Sequence, residues 1–492
     1  MSLLAAPEKD LARARVGRRS GGIAFLVLFA AGLVVRIGYL LSAAHRLDSD
    51  HAVVYLMAKH ALEGEISPFF WGQSYGGSLL SLSVAGVMAV VGTAPVVMPV
   101  VAVLWMAGAA LLLRLIVARS VGPVAGNVAG ILFWFPGLDI LVGSTRDPGF
   151  YSTSLVIGLG VLAIAVSARR PQHLFWWIGA GLLCGLALWT SPMALAFAAP
   201  GAVGLLLRGG LRPLNWLVAA VAAAIGASPW LVAAASAPVT RPAGAATQIH
   251  WESFVTVFTK LLPAALTPTA GPLVSQVIAA LAVLAVLALG LVGAIRRRGG
   301  AVMLAVATVL VVCVLVYGSG VELQADSRRY AVFLAPALAA ALGWAVSWFR
   351  PAAWVAMLAA PAVTVALVVQ ATSGFSWQSS RFDPRLTEVG TALQERGLEH
   401  VYASYWISYA LSAATEEDVT AAALVNRRYT PYETAAAEAD PSAFVVDTDQ
   451  ANDVLLAGLA EQYGGTRSEL DGYAIWTFTT PFDVYAQGWQ IV

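Results

Sequence analysis

Charge is what this chain of 492 residues has least of: Asp, Glu, Lys and Arg together make up 12%. A soluble domain carries about twice that, so an ordinary soluble globule is excluded. Cysteine is almost absent. Cys184 and Cys313 both lie inside apolar runs, which leaves no disulfide framework and no thiolate metal site. Lysine is confined to Lys9, Lys59 and Lys260. With a net charge of +1, bulk charge says nothing about partners; no nucleic-acid partner is expected. No glycine-rich phosphate loop follows a strand, against a soluble nucleotide-sugar enzyme. No internal repeat of the transporter kind is visible.

What the chain has instead is apolar length. Hydrophobic residues make up 59%, and runs of roughly 20 recur from Gly21 to Thr372, enough to cross a bilayer core of about 30 Å as helices. The basic stretch Met1–Arg19 lacks a signal-peptide cleavage pattern, so the first span is expected to be retained. Arginines cluster at Arg13 to Arg19, Arg114 and Arg119, Arg169 and Arg170, Arg208 and Arg212, Arg296 to Arg298, and Arg350. Placing all of them in the cytoplasm gives about 11 spans. Leu79–Val91 then has no crossing to make and is expected on the outer face. His51–Leu62 is a second interfacial candidate, with Val53, Val54, Met57, Ala58 and Ala61 on one side and His51, Lys59 and His60 elsewhere.

This topology exposes a pattern not used to build it. The acids between Ser20 and Thr372 are Asp48, Asp50, Glu63, Glu65, Asp139, Asp147, Glu252, Glu322 and Asp326. All fall on the outer side, although acids contribute little to orientation. A reaction centre there accounts for the bias; drift over few positions is the alternative. After Thr372 the composition turns polar and mixed. Leu386–Leu398 has helical spacing, and His400–Trp406, Ala443–Asp449 and Tyr473–Phe478 read as strands. The expected architecture is an all-α polytopic membrane domain with juxtamembrane helices, followed by a small α/β domain outside. The divisions are a cytoplasmic tail (1–20), a transmembrane domain (21–372) with its first outer loop at 44–95, and the outer domain (373–492).

The first loop is richest in chemistry. Asp48 and Asp50 stand just past the first span. A carboxylate there can act as general base, bind Mg²⁺ or Mn²⁺, or simply solvate the loop. "PFFWGQSYGG" (Pro68–Gly77) follows, where Trp71 and Tyr75 can stack on a sugar or anchor at the interface, and Gln73 offers a donor and an acceptor. In the second outer loop Pro136-Gly137 should end a helix. Arg146 there can grip a phosphate bidentately or pair with Asp147. Arg328 and Arg329 run against the positive-inside trend at the outer start of a span, which suits phosphate binding; snorkelling is the alternative. Arg36, about two turns below the outer end of the first span, needs a partner at that depth: an acid or a lipid phosphate. His250, beside Trp251 and Glu252, is a candidate wall of the site or plain surface.

These residues resemble a family. An outer-loop acid followed by A-x-x-Y-x-x-A-x-x-x-x-x-G (Asp50, Ala52, Tyr55, Ala58, Gly64) is similar to the polytopic GT-C glycosyltransferases, in their protein-mannosyltransferase-like and aminoarabinose-transferase-like branch. So are "FFWGQSYGG", "GLLCGLALWTSPMALAF" (Gly181–Phe197), "RRYAVFLAPALA" (Arg328–Ala339) and "YASYWISYAL" (Tyr402–Leu411). The resemblance implies a GT-C fold in a bacterial cytoplasmic membrane, with two juxtamembrane helices in the first outer loop. It implies inverting transfer of a sugar from a polyprenyl-phosphate donor to a glycan, lipid or protein acceptor on the outer face. Asp50 is then the base, or a cation ligand in some branches, with Asp48 second. Where the family has Asp-Glu this chain has Asp50-His51, and Asp147 matches the second-loop acid only by position. The rival readings are a lipid-linked-sugar transporter or flippase and a non-catalytic envelope-assembly protein. Mid-span regions without acids argue against ion coupling.

Overall fold

A computed structural model describes residues 8–73, 76–209, 212–236, 251–262, 272–318, 325–372 and 382–491, with residues 8–19, 251, 253, 260–261, 272, 317–318 and 325–328 described by backbone alone. The helices run, in chain order, α1 (Glu8–Leu40), α2 (Ser49–Leu62), α3 (Leu79–Val91), α4 (Val97–Ser120), α5 (Pro123–Trp134), α6 (Leu138–Thr145), α7 (Tyr151–Ser167), α8 (Leu174–Thr190), α9 (Pro192–Gly209), α10 (Pro213–Gly226), α11 (Ser228–Ser236) and α12 (Trp251–Thr256). They continue as α13 (Pro272–Ile295), α14 (Gly299–Gly318), α15 (Ala335–Ser347) and α16 (Arg350–Ala371). The C-terminal elements are α17 (Pro384–Gln394), β1 (His400–Ala403), α18 (Tyr405–Ala414), β2 (Thr420–Ala423), α19 (Thr430–Glu438), β3 (Ser442–Asp447), α20 (Ala451–Tyr463), β4 (Gly465–Leu470) and β5 (Tyr473–Phe478). The chain parts into two compact units: Met1–Tyr39 with Ala102–Thr145 and Tyr151–Ser373, and Leu40–Val101 with Arg146–Phe150 and Gly374–Val492.

The first unit is the membrane bundle of a multi-pass protein. Among the described residues six helices are long and apolar enough to cross a bilayer, and eight spans result if the bent pairs α5–α6 (76°) and α10–α11 (63°) each count once. The first bend falls where Pro136-Gly137 interrupts the pattern, as expected. The shorter α7, α8 and α15 coincide with the remaining apolar runs expected to cross. Glycine sets how closely α8 and α10 approach. A Cβ on Gly181 would lie 2.2 Å from the Ala219 carbonyl oxygen, and one on Gly185 2.0 Å from that of Ala223. This is the small-xxx-small contact of membrane helices, where lipid provides no hydrophobic drive and close backbone approach supplies the attraction. Polar side chains tie α1, α4 and α5 together. Arg114 donates to Asn127 Oδ1 at 2.8 Å, and Asn127 donates to the Gly21 carbonyl at 2.9 Å.

The second unit joins residues 40–101 and 146–150 to the C-terminal residues. Its sheet has the order β2-β1-β3-β5-β4. β1 runs parallel to β2 and β3, and β5 antiparallel to β3 and β4. The strand expected over His400–Trp406 stops at Ala403; Tyr405 already lies in α18. β2 and β4 escaped the sequence reading because "TAAA" has little β-propensity and "GTRSEL" is polar. α3 buries Leu80, Val84 and Met88, one face, against α2. α2 differs from expectation: not only Val53, Val54, Tyr55 and Leu56 but also His51 and His60 are buried. Burying one such large apolar side chain contributes about 1.5–3 kcal/mol. α18 packs on α2, and the turn after it supplies Glu416 and Glu417 to Lys59 and His60 on the side that the sequence left open to solvent.

Candidate active site

The centre of the second unit is the start of α2. Asp48 is its N-cap: Oδ1 accepts from the backbone N–H of Asp50 (3.1 Å) and His51 (3.4 Å). His51 Nδ1 lies 2.6 Å from the same oxygen, and the Asp48 backbone N–H donates to His51 Nδ1 at 3.3 Å, which completes a capping box. That third helical position normally takes Glu or Gln, so His51 supplies the reciprocal group here by another chemistry. Burial works against the Asp48 charge, but His51 and the Arg146 guanidinium hold its carboxyl down at about 2. Burial likewise opposes a charged His51, and Asp48 outweighs it, raising the imidazole above its ordinary value. Asp48, expected as a second base or metal ligand, is therefore engaged in starting the helix. Among the described residues no three or more His, Cys, Asp or Glu side chains converge as a metal site.

Asp50 follows in the first helical turn, where the backbone dipole favours a negative side chain. It is 8% exposed. Two C-terminal residues hold its Oδ1: Tyr405 donates its hydroxyl, and Arg428 Nη2 donates at 3.1 Å. Tyr405 Oη in turn accepts from Arg428 Nε (2.8 Å) and Nη2 (2.6 Å), so carboxylate, phenol and guanidinium close a ring. Burial, then the Asp50 charge, pushes the Tyr405 phenol far up. Burial disfavours the Arg428 charge, but Tyr405 and Asp50 overcome it and raise its pKa. Charge-assisted bonds of this kind are the strong ones.

The surrounding residues fix Arg428 from both ends. Its backbone N–H donates to Tyr409 Oη at 2.7 Å, and its guanidinium carbon lies 5.1 Å from the Phe70 ring centre. Gly72 has φ +72°, and a Cβ there would meet Arg428 Cα at 2.7 Å and the Arg427 carbonyl at 2.8 Å. Only glycine combines that backbone angle with that closeness. The motif "PFFWGQSYGG" thus packs on the strand-to-helix turn that carries Arg428. Trp71, a candidate to stack on a sugar, line an acyl chain or anchor at the interface, is 6% exposed and stacks on Tyr429, with ring centres 4.0 Å apart at 14°. Gln73 keeps its Oε1 buried without a hydrogen-bond partner among the described residues.

A second cluster lies at the other end of α2. His60 sits between Glu65 (Nδ1, 2.8 Å) and Glu417 (Nε2, 2.8 Å). Lys59 pairs with Glu416 at 2.7 Å, and Tyr55 donates to the same carboxylate at 2.9 Å. Glu416 and Glu417 both have positive φ, 53° and 72°, a backbone state that costs a non-glycine residue about 1–2 kcal/mol. These ion pairs hold that turn against α2.

The remaining candidates divide between the units. Arg146 donates through Nε (2.8 Å) and Nη2 to the Arg46 carbonyl, and Asp147 accepts from the Gly149 N–H at 3.0 Å. Both belong with Asp50. Arg36, Arg328 and Arg329 belong to the bundle. Arg36 is fully buried; it donates to Ser144 Oγ at 3.1 Å and to the Gly32 carbonyl at 3.3 Å, and lies 3.6 Å over Trp134. Neither of these partners is a carboxylate. Arg329 is exposed, its guanidinium 5.6 Å over Tyr330. Tyr75, His250 and the Arg328 side chain lie outside the described residues. Sequence reasoning missed Tyr405, Arg428 and Glu417. Tyr405 lay inside a motif already singled out, while the Arg427-Arg428 pair carried no spacing signal.

No known family profile matches the sequence, and no curated protein does. Solved structures are similar. The transferase ArnT from Cupriavidus metallidurans bound to undecaprenyl phosphate superposes with a TM-score of 0.61 at 13% identity, over 92% of this chain and 97% of that one. Arabinofuranosyltransferase AftD from Mycobacteria gives 0.53 at 14%, over 93% and 40%. The Archaeoglobus fulgidus oligosaccharyltransferase tethered with an acceptor peptide gives 0.51 at 12%, over 90% and 72%. The fold is the GT-C fold that the sequence motifs resemble.

Proposed function

We propose that this chain is a membrane glycosyltransferase that moves a sugar from a polyprenyl-phosphate donor to an acceptor hydroxyl at the outer face of the bacterial cytoplasmic membrane. The observation that carries the reading is Asp50: a buried carboxylate in the first turn of α2, just past the first span, oriented by Arg428 and Tyr405. Similarity of fold to a transferase solved with undecaprenyl phosphate supports the donor class.

In this reading Asp50 takes the proton of the acceptor hydroxyl. The acceptor oxygen bonds to the anomeric carbon from the side opposite the phosphate. The bond from that carbon to the phosphate oxygen breaks, and polyprenyl phosphate leaves with the electron pair. A carboxylate offers about four acceptor positions, and Oδ1 gives two of them to Tyr405 and Arg428. Those two are positioning residues that fix the plane of the carboxylate, since general-base work needs hydrogen-bond reach and alignment. Negative charge grows on the departing phosphate, and a fixed guanidinium placed there stabilises it without reorganising. Arg146, in the same unit, takes that role here. The sugar and the acceptor are left open.

The test is product analysis. Purified protein in liposomes receives radiolabelled polyprenyl-phosphate mannose or polyprenyl-phosphate arabinose together with a membrane extract as acceptor. Transfer of label with release of polyprenyl phosphate is expected for one donor. Binding of the donor lipid with no consumption above protein-free liposomes, for these two and for every other donor of a panel of polyprenyl-phosphate hexoses, pentoses and amino sugars, rejects the enzyme reading in favour of a carrier.

A further inference from the structure

The ends of α4 and α7 and the start of α8, all in the bundle unit, border an open hollow of about 390 Å³ lined by Arg119, Ser167, Arg169, Arg170, His173 and Trp176. Three arginines and a histidine, all exposed, thus share one depression. No acid occurs in the sequence between Glu65 and Asp139 or between Asp147 and Glu252, and no described carboxylate forms an ion pair with any of them. Their charge is not used to cap α7 either: Arg208 does that, donating to the carbonyls of Ala165 and Ala168, the latter at 2.9 Å. Ser167 Oγ is buried and has no hydrogen-bond partner among the described residues. The positive-inside bias accounts for the sign of these residues but not for their gathering on one hollow with an orphan hydroxyl.

We infer that this hollow binds the phosphate of an anionic membrane-lipid headgroup. Unpaired guanidiniums match phosphate oxygens in geometry and charge, and basic pockets between spans at the cytoplasmic side hold such headgroups. The choice of a lipid over a soluble phosphate rests on what adjoins the hollow. Leu174, Ile178 and Leu182 of α8 are exposed at 37%, 48% and 37%. Their spacing of four residues aligns them on one face, an apolar track for an acyl chain. Trp176, at the rim, has the amphipathic ring that favours the headgroup level.

Native mass spectrometry of the full chain in neutral detergent tests this. Phosphatidylglycerol and phosphatidylcholine of matched acyl chains are titrated separately, with inorganic phosphate as a third arm. The wild type is expected to retain phosphatidylglycerol preferentially, and Arg169→Gln/Arg170→Gln to weaken that binding by about 10- to 30-fold. Arg119→Gln, a second route into the same hollow, should weaken it in the same direction. Arg296→Gln/Arg297→Gln, an equal loss of charge in another basic loop, should leave it unchanged. Equal loss in the control pair means diffuse charge and overturns the proposal. So does equal retention of both lipids. Inorganic phosphate that competes at millimolar level while phosphatidylglycerol shows no preference assigns the hollow to a soluble anion and overturns the lipid assignment.

Discussion

The ring formed by Asp50, Tyr405 and Arg428 makes a quantitative demand on stability. Asp50 and Arg428 are 3.1 Å apart, with side chains 11% and 14% exposed. At an effective dielectric of about 20 their gross attraction is about 5 kcal/mol, much of it offset by the cost of removing both charges from water. Removing one partner of such a pair strands the other, which costs about 3–5 kcal/mol. Residual exposure argues for the lower end. Arg428→Gln should therefore destabilise the second unit by about 3 kcal/mol, and Asp50→Asn by a similar amount. The double variant leaves neutral groups that still hydrogen-bond Tyr405 and should cost well under the sum of the two. The assay is the rate at which a protease cleaves the C-terminal residues of protein held in liposomes, under conditions where cleavage follows opening. About 3 kcal/mol corresponds to roughly a 100-fold faster cleavage. Strictly additive single effects, or a double variant worse than their sum, would refute the coupling and with it the placement of Arg428.

Other consequences are open to measurement. Tyr405→Phe removes the hydroxyl that bridges the pair, so donor turnover should fall by about 10-fold with a smaller change in KM, the mark of a positioning residue; a pure KM effect would place Tyr405 in donor binding instead. Burial opposes charge on His60, yet Glu417 and Glu65 raise its pKa, while His60 and Tyr432 lower that of Glu417 against burial. The contribution of His60 is complete below its unfolded pKa of about 6.5 and is lost as pH rises through its raised value. That of Glu417 is lost as pH falls through its lowered value. The difference in Tm between wild type and His60→Gln should thus be largest in mildly acidic buffer and shrink towards alkaline pH; a difference that grows with pH contradicts the ion pair. Gly185→Leu forces side-chain atoms where α8 and α10 touch backbone to backbone and should cost about 1–3 kcal/mol, read as a lower Tm in detergent. Gly143→Ala, with nothing within 4 Å of the added Cβ, serves as the control.

The bundle was legible in the sequence because its signals are local. Apolar length, arginine-bearing loops and Pro136-Gly137 each act within a few residues, and helices formed where they predicted. Asp50 was legible for a similar reason, as an acid just after a span within a spaced motif. Its partners were not. Arg428 reaches Asp50 across 378 positions of sequence, and nothing in "NRRYTPY" marks one arginine as buried and the other as exposed. α2 misled for a related reason: its polar residues resemble a solvated face until Glu416 and Glu417, distant in sequence, pair with Lys59 and His60. Trp71 carried the composition of a sugar platform but its neighbours in space include Tyr429 and His60, which only the fold brings together. The Asp50-His51 departure becomes intelligible once Asp48 is seen to cap α2 with His51 as its reciprocal partner.

The most direct measurement compares wild type with Asp50→Asn in liposomes charged with radiolabelled polyprenyl-phosphate sugar, each checked beforehand for an intact thermal transition and for retention of the donor lipid. The account predicts that the variant still holds the lipid but transfers sugar at least about 100-fold more slowly, the scale of a lost general base. Transfer by Asp50→Asn at the wild-type rate would contradict it.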